Sequence, residues 1–351
     1  NAQQKLTHVV VPYPTIDDLT VDIAVYEHKG DKKNLLVILS GVHGVEGYVG
    51  SAVQLMFADK YLSKVNSDTG VALYHAFNPF GFHNNRRVNE KNIDCNRACI
   101  DDLTDFKADD EKLIAAFNAV YDFLTPEGLR RGGFEEFWKF YFGASKAILR
   151  HGYTTLKNAV ASGQYQHPRS LFYGGNDLQK SVEIFREFIK CVTDGYQNVI
   201  VVDVHTGFGK IFRPGYFTHH EEISHSFERL RKAVPHLESA SITRQKDRTF
   251  GVYRIKGSAL EYAQKHSKAQ NYYGFAIDFH TMHPIRMIRR MIAENQIFHY
   301  PDTPNKIKER VRRQFMQAFY PISSEWKEHM THFAEDLIKR LSSEFDLIVT
   351  R

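Results

Sequence analysis

Apolar positions along the chain fall into runs of two kinds. NLLVILSG, starting at Asn34, carries a short continuous apolar stretch of the length and aliphatic character of a strand buried on both faces. It is followed by YVGSAVQLMFADKYL, whose apolar residues recur at helical spacing. GVALYHAFN (Gly70–Asn78) reads as a second strand and ends in the turn signal NPFG. Two long stretches, DDEKLIAAFNAVYDFL and FEEFWKFYFGASKAILRHGYTTLKNAVASG, have helical periodicity. SVEIFREFIKCVTDG is a further amphipathic helix, stopped at Gly195 by a glycine of the C-cap kind. NVIVVDVHTG and YYGFAIDFHT are strands again, and the tail from Pro304 to about Phe345 is amphipathic and helical. Strands separated by helices predict an α/β fold, a three-layer α/β/α sandwich around a mixed, mostly parallel sheet. The expected organisation is one catalytic domain over residues 1–351, with a helical insertion at about 101–195 and a helical tail at about 304–345.

In sheets of this kind ligands bind beyond the carboxyl ends of the strands, and three apolar runs end there in polar residues. The first ends at His43 and Glu46, the second at His205 in HTGFG, the third at Asp278 in DFHT. Two imidazoles and a carboxylate are the ligand set of a catalytic zinc site that keeps a position open for water. A further carboxylate that does not ligate is then free to act as general base on that water. Glycines at 41, 44 and 47 let the first turn aim His43 and Glu46 away from the strand end.

Other readings of that turn lack their signatures. It is neither G-x-G-x-x-G nor a P-loop, and no G-x-S-x-G is present, since Ser40 precedes the turn and Ser51 follows it within the helix. With 18 histidines in the chain, a lone H-x-x-E is cheap and often marks a buried His in a helix-entry loop. THHEEISH (Thr218–His225) offers a second H-x-x-E, but the spacing of His220 and His225 misses H-E-x-x-H by one residue, and a solvated, charged helix start is expected. His280 and His283 lie just after the Asp278 strand end and either line the pocket or serve the turn before Pro284. RRVNEKNIDCNRAC (Arg86–Cys99) adds arginine forks suited to carboxylates and to a developing oxyanion.

Bulk properties narrow the field. The 351 residues, 42% of them hydrophobic, suffice for a large core. No run of eighteen apolar residues exists, so no membrane span is expected. The charge of +5 is spread over 46 basic and 41 acidic residues, without the basic stripe of a nucleic-acid binder. Three cysteines argue against a disulfide scaffold and for a reducing, cytoplasmic setting; Cys95 and Cys99, lacking a second pair, read as bystander thiols. The opening Asn-Ala reads as a cloning scar that leaves room for a trimmed leader. The sequence sets no oligomeric state.

Taken in order, H-x-x-E, N-P-x-G, R-x-N-x-x-x-x-D-x-N-R, a strand-borne His and a later strand-borne acid resemble the zinc carboxypeptidase (funnelin) superfamily, which includes the succinylglutamate desuccinylase and aspartoacylase amidohydrolases. SGVHGVEGYVGSAVQ, GQYQHPRSLFYGG, VDVHTGFG and IRRMIAENQIFHY look like one bacterial branch of it, and the likeness runs from about Leu35 to Tyr300. The resemblance implies one zinc held by His43, Glu46 and His205, with Arg87 stabilising the oxyanion and Asn96 with Arg97 clamping a substrate carboxylate. Asp278 falls where the family carries its catalytic glutamate, one methylene short, and FHT stands in place of FGT. Tyr253 and Tyr262 are candidates for the family's substrate-capping tyrosine. The implied activity is zinc-dependent hydrolysis of an amide bond beside a free carboxylate, as a metallopeptidase of carboxypeptidase type or an N-acyl amino acid amidohydrolase, on a small peptide or an N-acyl amino acid. The alternatives are a catalytically weak or inactive relative that binds zinc and a carboxylate, and a metal-free binding protein.

Overall fold

Leu35, Leu36, Val37, Ile38 and Leu39 are all fully buried, as a strand covered on both faces requires. The structure, a computed structural model, describes residues 6–102, 111–131, 133–239 and 255–349. The strands β1 (Leu6–Pro12), β2 (Thr20–Tyr26), β3 (Asn34–Ser40), β4 (Thr69–His75), β5 (Asn198–Phe208), β6 (Pro214–Thr218), β7 (Leu237–Ser239) and β8 (Asn271–Met282) form one eight-stranded sheet. Their order is β1-β2-β4-β3-β5-β8-β6-β7. The central four, β4, β3, β5 and β8, run parallel; β2 and β6 join them antiparallel on either side. Asn34, Asn198 and Asn271 open β3, β5 and β8 in register and hydrogen-bond side by side at 3.0 and 3.2 Å. That ladder aligns the far ends of the same strands, where His205 of β5 sits opposite Asp278 of β8.

Among the described residues the helices are α1 (Gly47–Lys60), α2 (Pro79–His83), α3 (Glu111–Asn118), α4 (Tyr121–Leu124), α5 (Phe134–His151), α6 (Tyr153–Ala161), α7 (Lys180–Val192), α8 (His225–Ala233), α9 (Ala259–His266), α10 (Pro284–His299), α11 (Asn305–Phe319) and α12 (Ser324–Phe345). Alternation along β3 sends Leu36 and Ile38 into a core shared with α1, α8 and α12, and Leu35, Val37 and Leu39 into one shared with α7 and α9. These are the three layers the sequence predicts. On α12, Trp326, Met330, Ala334, Leu337, Ile338, Leu341 and Phe345 recur at helical spacing and are all buried, so one stripe fastens the helix. Removing the Leu341 side chain there costs about 2–5 kcal/mol. No described helix is long and apolar enough to cross a membrane.

Several boundaries differ from the sequence reading. NPFG is a helix start and not a turn: Asn78 caps α2 by accepting from the Gly81 N–H, and Pro79 supplies the first helical position. The long helical stretch after residue 133 breaks at Gly152, whose φ of +79° is unfavourable for residues with a side chain. The helical tail breaks between α11 and α12, around Pro321. Strands β1, β2, β6 and β7 and helix α10 are additions: β1 is largely exposed and β7 spans three residues, so neither has a core-facing run to read. Helices α3–α6, α10 and α11 gather in a further cluster with Val45 and Phe172, directly beside the turn that carries His43 and Glu46.

Candidate metal centre

Strand β3 ends at Ser40, and the chain reverses through Gly41, at φ +70°. Gly44 lies flat against the backbone of Gly81 and Phe82, where a Cβ would overlap main-chain atoms. Close approach to α2 thus explains one glycine and backbone handedness the other. Between them stands His43, and a single turn of 3-10 helix, Gly44–Glu46, follows. This turn is tied to the arginine loop by backbone bonds from Gly44 N–H to Arg87 O (3.2 Å) and from Val45 N–H to Arg86 O (2.8 Å). Two segments far apart in sequence therefore arrive as one unit.

His43, Glu46 and His205 converge, with one ligand atom from each within 4.8 Å of the others, and all three are buried. His43 Nδ1 lies 2.9 Å from Glu46 Oε1, and His205 Nδ1 lies 2.9 Å from Glu46 Oε2 and 3.2 Å from His43 Nδ1. The opposite ring nitrogens are held as well. His43 Nε2 is 3.1 Å from Asp94 Oδ1, and His205 Nε2 is 2.7 Å from Asp203 Oδ2. Each carboxylate is placed to accept an Nε2–H; once the rings are neutral, that tautomer turns both Nδ1 lone pairs towards each other across the Glu46 carboxylate. A cation relieves that convergence, and carboxylate-held imidazoles are the usual support of metal-binding histidines. Burial alone raises Glu46, but His43 and His205 hold it well below the carboxylate range. Burial likewise lowers His205, and the Asp203 and Glu46 charges outweigh it and raise the ring well above its usual value. The field at this point is strongly negative. Two imidazole nitrogens and a carboxylate on a buried, carboxylate-backed frame fit zinc in donor type and number.

Arg87 enters the same cluster, donating from one terminal nitrogen to Asp94 Oδ2 (3.0 Å) and from the other to Glu46 Oε1 (3.3 Å). Its neighbour Arg86 is drawn away into a buried pair with Glu294 at 2.6 Å. Asn96 accepts from the Ala259 N–H at the start of α9, and Arg97 donates to Ala161 O at the end of α6. The Phe172 ring lies 5.2 Å from the Arg87 guanidinium carbon and 5.8 Å from that of Arg97. Asp278 is pushed up to about 7, first by burial and then by the Glu46 charge, against the pull of His205 and Arg87. Arg87 Nε, Arg97 Nε, Asp203 Oδ1, Thr206 Oγ1, Asp278 Oδ1 and His280 Nδ1 are buried without a partner among the described residues. All six belong to residues that line one cavity of about 1070 Å³. Buried donors and acceptors left unmade are costly, so their concentration here marks a place built for a ligand.

Other expected residues lie elsewhere. Tyr253 lies outside the described residues. Tyr262 is buried in α9 and donates to Asp101 Oδ1 at 2.8 Å, so it is not a capping side chain over the cavity. THHEEISH is not a solvated helix start: α8 begins at His225, capped by Ser224, while His219 and His220 precede it and turn inward. His219 lines the cavity, pairs with Ser258 Oγ at 2.7 Å, and is pushed down to about 4 by burial, then by His220 and Arg97. His280 and His283 both line the cavity, and His283 also caps α10. Cys95 and Cys99 are buried free thiols held by Ser181 and the Cys95 carbonyl. Of the supporting carboxylates, Asp94 stands in the arginine-loop motif but was given no role there, and Asp203 escaped the sequence reading. For Asp203 a signal was there: residues two apart on a strand share a face, so D-x-H on β5 puts Asp203 beside His205.

A family model described as "Protein of unknown function (DUF2817)" matches residues 1–332. No curated protein matches the chain. Among solved structures, carboxypeptidase A from Helicoverpa armigera is similar, at 11% identity over 89% of this chain and 69% of that one, with a TM-score of 0.44. A succinylglutamate desuccinylase from Silicibacter has 15% identity over 86% and 68%, with a TM-score of 0.38. The succinylglutamate desuccinylase from Chromobacterium violaceum has 12% identity over 91% and 71%, with a TM-score of 0.35.

Proposed function

The chain belongs to the DUF2817 family, whose description names no activity, so function has to be read from the site, and we propose that it is a zinc-dependent hydrolase of an amide bond beside a free carboxylate. One observation carries this reading: His43 Nδ1, His205 Nδ1 and the Glu46 carboxylate converge while Asp94 and Asp203 hold the opposite ring nitrogens. His43, Glu46 and His205 would hold one zinc, which when bound supplies Lewis-acid polarisation of a carbonyl and makes water acidic near neutral pH.

The chain's own residues account for the remaining steps. Asp278 carries an unpartnered oxygen into the cavity and takes the proton from the attacking water. As the carbonyl oxygen gains negative charge, the free Nε–H of Arg87 is available to it. Asp278 then passes the proton to the amine nitrogen, the C–N bond breaks, and a carboxylic acid and an amine leave. Asn96 and Arg97 hold the substrate carboxylate, and the unpaired Arg97 Nε–H supports this role. A second reading, binding without turnover, draws on Asp278, whose side chain is one methylene shorter than the glutamate of the families it resembles.

A panel of C-terminal peptides and N-acyl amino acids, each as free acid and as carboxamide, tests both readings. Hydrolysis confined to free acids, with KM raised at least tenfold in Arg97→Ala while the fold is kept, supports the clamp. Equal turnover of amidated and free-acid substrates removes it, and tight binding of free acids with no turnover favours the second reading.

A further inference from the structure

The cavity is larger than the proposed chemistry needs. Its volume of about 1070 Å³ lies at the upper end for a small-molecule site. An amide, a carboxylate and one amino acid side chain leave much of it free. Part of the lining is polar: Arg87, Arg97 and Asp278, each with an unpartnered buried atom, line the cavity together with His43, Glu46 and His205. Another part of the lining comes from α4–α6, through Leu124, Phe140, Ala144, Ala147, Leu156 and Val160 among others, and Ile285 and Ile288 of α10 also line the cavity. Apart from Tyr153 and Lys157, which already have partners, every side chain that α4–α6 contribute to the lining is hydrocarbon. The Phe172 ring, beside both arginines and packed in the same cluster as these helices, lines the cavity as well.

Hydrocarbon walls on helices select against a peptide chain. The helical backbones already use their N–H and C=O groups within each helix, and the side chains supply almost no donors or acceptors. A peptide entering this region would bury its own amides without partners, which is costly. An alkyl chain has no such groups and gains from every methylene removed from water. Resting on the carboxylate-clamped amide hydrolase reading above, we infer that the ligand of this site is an amphiphile: an N-acyl amino acid whose long aliphatic acyl chain lies in the chamber walled by α4–α6.

Two arms keep this inference separate from the hydrolase reading. The first needs no turnover: the zinc-loaded protein is titrated by calorimetry with butanoate, octanoate, dodecanoate and tetradecanoate. Affinity is expected to rise about fourfold per added methylene until the chamber is full and then to level off. Ala144→Phe fills part of the chamber and should move that plateau to a shorter chain. Affinity independent of chain length overturns the inference, and the wild-type series decides this even if the variant does not fold. The second arm compares kcat/KM for N-acylglycines from acetyl to tetradecanoyl with peptides ending in glycine and carrying apolar residues of matching size. A climb along the acyl series alone supports the inference. A climb along the peptides instead overturns it in favour of a peptide chamber. Chain-length-dependent binding with no hydrolysis of either series supports the chamber and refutes the hydrolase reading.

Discussion

Replacing Asp278 with asparagine should make the metal-free protein more stable and the enzyme far slower. The carboxyl is pushed from its ordinary 3.8 up to about 7, by burial first and the Glu46 charge second. A carboxyl raised in the fold keeps its proton when the unfolded chain has lost it. Its contribution to stability is therefore intact below about pH 4, declines as pH climbs towards about 7, and stays low above that. At about 1.4 kcal/mol per pH unit across this window, the raised Asp278 carboxyl costs the metal-free fold about 4 kcal/mol at pH 8, where it is ionised, and about 2 kcal/mol at pH 5, where the fold still holds the proton that the unfolded chain releases. Asparagine has nearly the same shape and no charge to bury. Urea unfolding of chelator-treated Asp278→Asn and parent, from pH 4 to pH 8, should show no gain at the acid end and a gain of up to about 4 kcal/mol at the alkaline end. Restoring zinc should shrink the gain, because a nearby cation offsets the cost of the negative charge. Turnover should fall about 10²–10⁴-fold, as for loss of a general base, and Asp278→Glu should preserve or raise it. A stability difference that does not change with pH, or a variant destabilised at pH 8, would refute the reasoning about burial. Unchanged turnover in Asp278→Asn would remove this residue from the mechanism.

Two further outcomes follow from the same frame. Asp203→Asn replaces the acceptor that holds His205 Nε2 at 2.7 Å, and should weaken zinc affinity about 10–100-fold in competition with a chelator while the fold survives; unaltered affinity would leave Asp203 without a supporting role. Glu294→Ala strands the buried Arg86 and should cost about 3–5 kcal/mol in thermal or urea unfolding without changing metal content, whereas a loss below about 1 kcal/mol would mean the pair is solvated.

The parts of this site legible in the sequence are those in which an apolar run ends in a polar residue. β3 and β5 announce themselves because burial on both faces demands continuous aliphatic residues, β8 by a run of mixed aromatic and aliphatic residues, and the strand ends deliver His43, Glu46, His205 and Asp278 to one cavity. Local pattern does not disclose pairings that depend on a distant segment. Asp94 meets His43 across 51 positions, and Arg86 is taken out of the site by Glu294, 208 positions away. His219 and His220 were misread because their charged neighbours Glu221 and Glu222 suggest solvent, while the chain turns both rings inward before α8 begins. The apolar chamber escaped for a related reason. The inner residues of α5 and α6 read only as a helix stripe seeking a core, and a stripe looks the same whether it faces another helix or a cavity.

The central claim is that His43, Glu46 and His205 form a zinc site. It is tested most directly by crystals of the purified protein measured on both sides of the zinc absorption edge, with the same data for His205→Ala. One anomalous peak per chain is expected at the point shared by His43 Nδ1, His205 Nδ1 and the Glu46 carboxylate, lost in His205→Ala. No peak at that point in protein supplied with zinc, or an undiminished one in His205→Ala, would contradict the claim.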